Sequence, residues 1–146
     1  MKKNYSQSGF TLIELLLYVG IASSILLIST LFLQTLLESR VKNQTIAEVE
    51  QQGLQVMQII TQAGRNAVDT NFTSVFSLSG GVIRENGIAL TNSRVTASAL
   101  NFQNLSRAST PGTVRISFTL THVNPVGRQE YNFSKTFYAS ATLRQP

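Results

Sequence analysis

Glu14 is the residue whose setting most demands a chemical explanation, because it is the only charged side chain in residues 10–37, an otherwise apolar or small-residue run. Conventional catalytic groups are sparse: the 146-residue chain has one histidine, His122, one aspartate, Asp69, and no cysteine. Acyl transfer needs a nucleophile, a base and an orienting acid, and these residues supply no such set. His122 ends an expected strand beside a turn and reads as a surface or edge histidine, because as a base it has no identifiable partner. One histidine, no thiol and isolated acids give no metal-ligand spacing. Gly80-Gly81 is turn chemistry, and no phosphate-binding loop is present. The chain therefore reads as non-enzymatic, with no catalytic, cofactor-binding or metal-binding residues and no cofactor.

The element carrying Glu14 explains why the acid matters. As a helix, residues 10–37 rise about 42 Å, against about 30 Å of bilayer hydrocarbon, so the segment is long enough to span. Lys2 and Lys3 precede it. Basic residues resist translocation, which predicts an amino end in the cytoplasm and everything beyond Leu37 outside. A signal peptide shares the basic start, but its apolar region is about 7 to 15 residues. Here the run continues through "ILLISTLFLQTLL" and contains an acid.

A carboxylate at the centre of a membrane helix costs about 2.5 to 3.5 kcal/mol on insertion scales, so it usually faces a partner, a cavity or the interface. Snorkelling at the cytoplasmic end and the positive helix terminus would reduce that cost for Glu14. The flanking residues point to a partner. Glu14 follows Phe10 by four positions, one helical turn, and Phe10 follows Gly9 at the end of "SQSG".

The stretch "GFTLIELL" resembles the amino-terminal motif of type IV prepilins and of the pseudopilins of type II secretion and competence systems. The resemblance implies that residues 1–9 are a leader peptide, cut between Gly9 and Phe10 by prepilin peptidase, with N-methylation of Phe10 after cleavage. Gly9 suits such a cut because a residue without a side chain lets an extended backbone approach a catalytic site closely. The resemblance further implies that Glu14 sets assembly register by pairing with the new Phe10 amine of a neighbouring subunit. Implied partners are other major and minor pilins or pseudopilins and the inner-membrane assembly platform. The implied location is the inner membrane, then an extracellular or periplasmic filament.

Beyond the apolar run, Ile46, Val49, Gly53, Val56, Met57, Ile60, Ala63, Gly64 and Ala67 recur at alternating spacings of three and four. Lys42, Glu48, Gln51, Gln52, Gln55, Gln58, Gln62 and Arg65 fall largely on the other side. No proline interrupts residues 10–68, so one long helix is expected, with 10–37 transmembrane and 38–68 an amphipathic extension packed on a globular domain. The "AEVEQQGLQVMQIITQAGRNA" stretch is similar to the corresponding segment of J-type, or large, minor pilins and pseudopilins, which implies a minor component.

Residues 69–146 read as the β-rich part of an extracytoplasmic domain. "VIRENGIAL" brackets Asn86-Gly87, a strong hairpin signal because both residues tolerate positive φ. "RVTASALNFQNL" predicts the next strand. "TVRISFTLTHV" alternates, with Val114, Ile116, Phe118 and Leu120 on one face. "NPVG" is a turn. "EYNFSKTFYASATL" predicts a last strand with Tyr131, Phe133 and Phe137 on one side and Lys135 interrupting that face. "SLSGG" and "SRASTPG" read as connecting loops. The expected fold class is α+β, a long amino-terminal helix packed on a small antiparallel sheet, as in pilins.

The formal charge of +5 raises nucleic acid as a partner. The basic residues Arg84, Arg94, Arg107, Arg115, Arg128, Lys135 and Arg144 do not cluster in sequence, and the aromatic residues near them read as core, so DNA contact is the disfavoured reading. The alternative to a filament subunit is a single-pass, membrane-anchored extracytoplasmic module that binds a ligand, adheres or captures DNA.

Overall fold

A computed structural model describes residues 9–107 and 112–144. It is an α+β chain whose first regular element, α1, runs Leu12–Asn66. Two compact units divide the chain, Met1–Ser39 and Arg40–Pro146.

In the first unit every described residue is solvent-exposed. The helix is one residue pair shorter at its start than the sequence predicts. Thr11 supplies the carbonyl that accepts the Glu14 N–H at 3.1 Å and the Leu15 N–H at 3.2 Å, so regular helix begins at Leu12. Each hydroxyl between Ser23 and Thr35 bonds to a carbonyl three or four residues earlier: Ser23 and Ser24 to Gly20, Ser29 to Ile25, Thr30 to Leu26 and Thr35 to Leu31. Those groups would need no water in a bilayer, where an unsatisfied polar group is expensive. The helix is long and apolar enough to cross a membrane.

In the second unit α1 acquires a buried face: Thr45, Val49, Gly53, Val56, Met57, Ile60 and Gly64 are buried. This follows the expected stripe, except that Ile46 and Ala63 are half-buried and Thr45 is fully enclosed. Thr45 tolerates burial because its Oγ1 donates to the Val41 carbonyl at 3.0 Å. Gly53 and Gly64, about three turns apart on this face, let strand side chains meet the helix backbone. The helix ends at Asn66, short of the expected residue 68. There the Ala67 N–H turns back to the Gly64 carbonyl at 3.2 Å, and the Ala67 carbonyl accepts from the Arg144 N–H at 2.9 Å.

Two three-stranded antiparallel sheets replace the single sheet expected from sequence. The first contains β1 (Phe76–Ser79), β2 (Val82–Glu85) and β3 (Ile88–Ala89) in that order. β2 and β3 form the expected hairpin, with Asn86 at φ 49° and Gly87 at φ 84°. "SLSGG" is not simply a loop: its first residues belong to β1, and Gly80-Gly81 turns the chain into β2. Only Phe76 of β1 is buried, so the strand has little hydrophobic periodicity of its own. A 3₁₀ turn, Thr70–Val75, precedes it, capped by Asp69 Oδ1 accepting from the Thr70 N–H.

The second sheet has β4 (Val95–Asn104), β5 (Thr113–His122) and β6 (Ser134–Thr142) in that order. Val114, Ile116, Phe118 and Leu120 are buried, as their alternation requires. A bulge between Ser98 and Asn101 interrupts β4, with Ala99 at φ 56°. β6 begins later than expected, because residues 129–131 form a 3₁₀ turn. Of the three aromatics expected on one strand face, Phe137 is buried in β6, while Tyr131 and Phe133 precede the strand and are half-buried. Lys135 escapes the apolar face by reaching Glu50 Oε1 at 2.7 Å. The Ala97 N–H donates to the Gly81 carbonyl at 2.7 Å, joining the sheets, and one core collects Val49, Val56 and Ile60 with Phe76, Ile83, Phe118 and Phe137.

Candidate functional site

The amino-terminal site is built from the first turns of α1. Gly9 and Phe10 lie before regular helix, while residues 1–8, which hold Lys2, Lys3 and most of the expected leader, lie outside the described residues. Glu14 occupies the first turn, where the exposed N–H groups make the helix end positive and stabilise an acid. Phe10, Glu14 and Tyr18 share one face at four-residue spacing. The Phe10 and Tyr18 ring centroids are 5.9 Å apart, and Tyr18 Oη donates to Glu14 Oε1 at 3.5 Å. That bond is long, and it is the one hydrogen bond the Glu14 side chain makes among the described residues. Among the described residues no donor reaches Glu14 Oε2. Tyr18 was not singled out from sequence, although its position one turn beyond Glu14 is a readable signal.

A second polar constellation lies in the globular unit, around Glu48. Sequence periodicity puts Glu48 and Gln52 on the outer helix face, yet both are half-buried. Glu48 Oε1 accepts from Asn92 Nδ2 at 3.3 Å, and Glu48 Oε2 accepts from Arg94 Nη1 at 3.5 Å. The Asn92 N–H donates to Gln52 Oε1 at 3.4 Å. His122 joins the same carboxylate, with Nε2 3.7 Å from Oε2. Its side chain is 10% exposed and its ring stacks on Tyr131 at 5.7 Å between centroids, so it is more enclosed than the surface or edge position expected from sequence. His122 Nδ1 is buried and makes no hydrogen bond within the described residues. The cluster ties α1 to the segment before β4 and to the end of β5. It borders a groove of about 920 Å³. Long-range pairing of this kind has no sequence signal, because Glu48 meets partners more than forty positions away.

Of the basic residues weighed for nucleic-acid contact, Arg84, Arg94, Arg115, Arg128 and Lys135 each meet a separate partner. Arg94 pairs with Glu48, Arg128 with Glu130 at 2.6 Å and Lys135 with Glu50. Arg84 Nη1 donates to the Gly87 carbonyl at 3.0 Å, and the Arg115 guanidinium lies 5.5 Å from the Tyr138 ring centroid. The Arg128 guanidinium donates to Glu130 and, with the backbone N–H of Glu130 itself, holds that carboxyl below its ordinary pKa of 4.5. Comparison with protein-family models, with curated proteins and with solved structures finds no match for this chain.

Proposed function

We propose that this chain is a minor pilin or pseudopilin, a structural subunit of a type IV pilus or of a related secretion or competence pseudopilus. The reading rests on one observation: Gly9-Phe10 stands just ahead of α1, whose stretch up to Leu37 is apolar enough to cross a membrane and carries Glu14, in the first turn, as its only charge. The resemblance of "GFTLIELL" to prepilins supplies the chemistry. Cleavage between Gly9 and Phe10 replaces a neutral amide by an ammonium at the level of the lipid. The orientation that allows it keeps Lys2 and Lys3 in the cytoplasm and puts the globular unit outside.

Glu14 then pairs with the Phe10 ammonium of a neighbouring subunit. Breaking a buried pair leaves an uncompensated charge at about 3 to 5 kcal/mol, so docking in the wrong axial register, or beside an uncut subunit, is penalised. Apolar contacts between helices provide cohesion, and the ion pair selects register.

Intact-mass measurement of the chain co-expressed with prepilin peptidase tests the proposal. Loss of residues 1–9 and gain of one methyl group on Phe10 is the expected result. A chain that keeps its full length overturns it in favour of a permanently anchored extracytoplasmic module, for which the groove beside Glu48 would be the binding site.

A further inference from the structure

The globular unit presents an apolar tip that its core does not use. The connection between β5 and β6 carries Val123, Pro125 and Val126, with Val126 73% exposed and Val123 37% exposed. The tip is braced from behind. Asn124 Nδ2 donates to the Arg128 carbonyl and to Asn132 Oδ1, both at 2.7 Å, and the Arg128 N–H donates to Asn124 Oδ1 at 3.1 Å. Gly127 makes the turn at φ 70°. A braced turn loses little conformational entropy when it meets a surface. Other strongly exposed apolar residues of the unit, Leu54, Ile88 and Tyr138, fall on three different elements, α1, β3 and β6.

The position of the tip in the unit indicates what it meets. Val123, Pro125 and Val126 line the groove together with Val41 and Gln44 of α1. Val41 follows Leu37, the last residue of the apolar run, by four positions along the chain. The tip therefore belongs to the end of the globular unit that the apolar segment enters. Charge there leans positive, toward anionic headgroups: Arg40 and Lys42 are exposed and Arg94 on the groove wall has a side chain 72% exposed, set against Glu38 and the half-buried Glu48.

We propose that the Asn124–Gly127 turn docks on an anionic lipid bilayer, placing Pro125 and Val126 at the boundary between headgroups and acyl chains. Interfacial binding scales with apolar area and with attraction to anionic lipid, and the tip combines both. The contact holds the globular unit on the bilayer while the subunit is a membrane monomer. It is given up when the subunit leaves the membrane. The proposal rests on the first half of α1 being the membrane anchor.

Because the chain has no cysteine, single substitutions V126C, I88C and S23C each allow one environment-sensitive fluorophore on the full chain. The labelled proteins are reconstituted in vesicles of phosphatidylcholine with phosphatidylglycerol, containing lipids with a doxyl quencher at shallow or deep acyl positions. The expected result is loss of emission at residue 126 with the shallow quencher, stronger with phosphatidylglycerol than without it. Deep quenching is expected at residue 23 and none at residue 88. Quenching at 23 without quenching at 126 overturns the docking proposal and leaves the anchor standing. Equal quenching at 88 and 126 also overturns it, as indiscriminate adhesion. No quenching at 23 overturns the anchor reading, and the docking proposal with it.

Discussion

The Phe137 ring of β6 lies directly against the backbone of Gly53 in α1, and a Cβ built on Gly53 would overlap the ring. The ring cannot retreat freely, since it stacks on Phe118 of β5 with centroids 5.5 Å apart. Gly53→Ala should therefore destabilise the globular unit by about 1 to 3 kcal/mol, the usual range for overpacking, despite alanine being the better helix former. Urea unfolding of the full chain in detergent, followed by near-ultraviolet circular dichroism, measures this. An unchanged midpoint would mean that the strand and helix are not packed this closely.

Phe118 is fully buried at the centre of the core. Phe118→Ala should cost about 3 to 5 kcal/mol through lost transfer energy and the cavity left behind. Tyr138 on the same sheet is exposed, and Tyr138→Ala should have a much smaller effect in the same unfolding assay.

Glu14→Val separates membrane insertion from assembly. Removing the acid eases insertion by at most about 2.5 to 3.5 kcal/mol, the value for the centre of a membrane helix. If Glu14 sets register, the variant should still be cut after Gly9 but should be missing from sheared filaments. Mass spectrometry of the membrane and filament fractions checks both outcomes. Incorporation equal to that of the parent chain would remove the registry role.

The Arg128–Glu130 bond predicts a defined acid response. Its native pKa is depressed below 4.5, so the unfolded chain binds the proton more readily and stability rises with pH through that window. The contribution is fully present above about pH 4.5 and is lost as pH falls through the depressed native value. Arg128→Leu should return the Glu130 carboxyl toward 4.5, an upward shift visible by carbon-detected NMR titration.

The amino-terminal half of this protein was legible in one dimension because its forces are local or act against solvent. An apolar run, the three-and-four spacing of Val49, Gly53, Val56 and Ile60, and the absence of proline define α1 without reference to any other element. Asn86-Gly87 specifies its hairpin through the φ preferences of two residues, and the alternation in β5 assigns Phe118 inward before any partner is known.

The remaining features arise from contacts between distant parts of the chain. β1 was hidden because one buried residue makes no period, and its identity as a strand comes from pairing with β2. The 3₁₀ turn before β6 interrupts a segment whose composition suits a strand. His122 and Glu48 are each unremarkable in sequence and meet only because folding brings β5 back to α1. Helix formation and bilayer compatibility depend on neighbours within a few residues, whereas sheet partition and polar pairing depend on contacts that the chain must close over long loops.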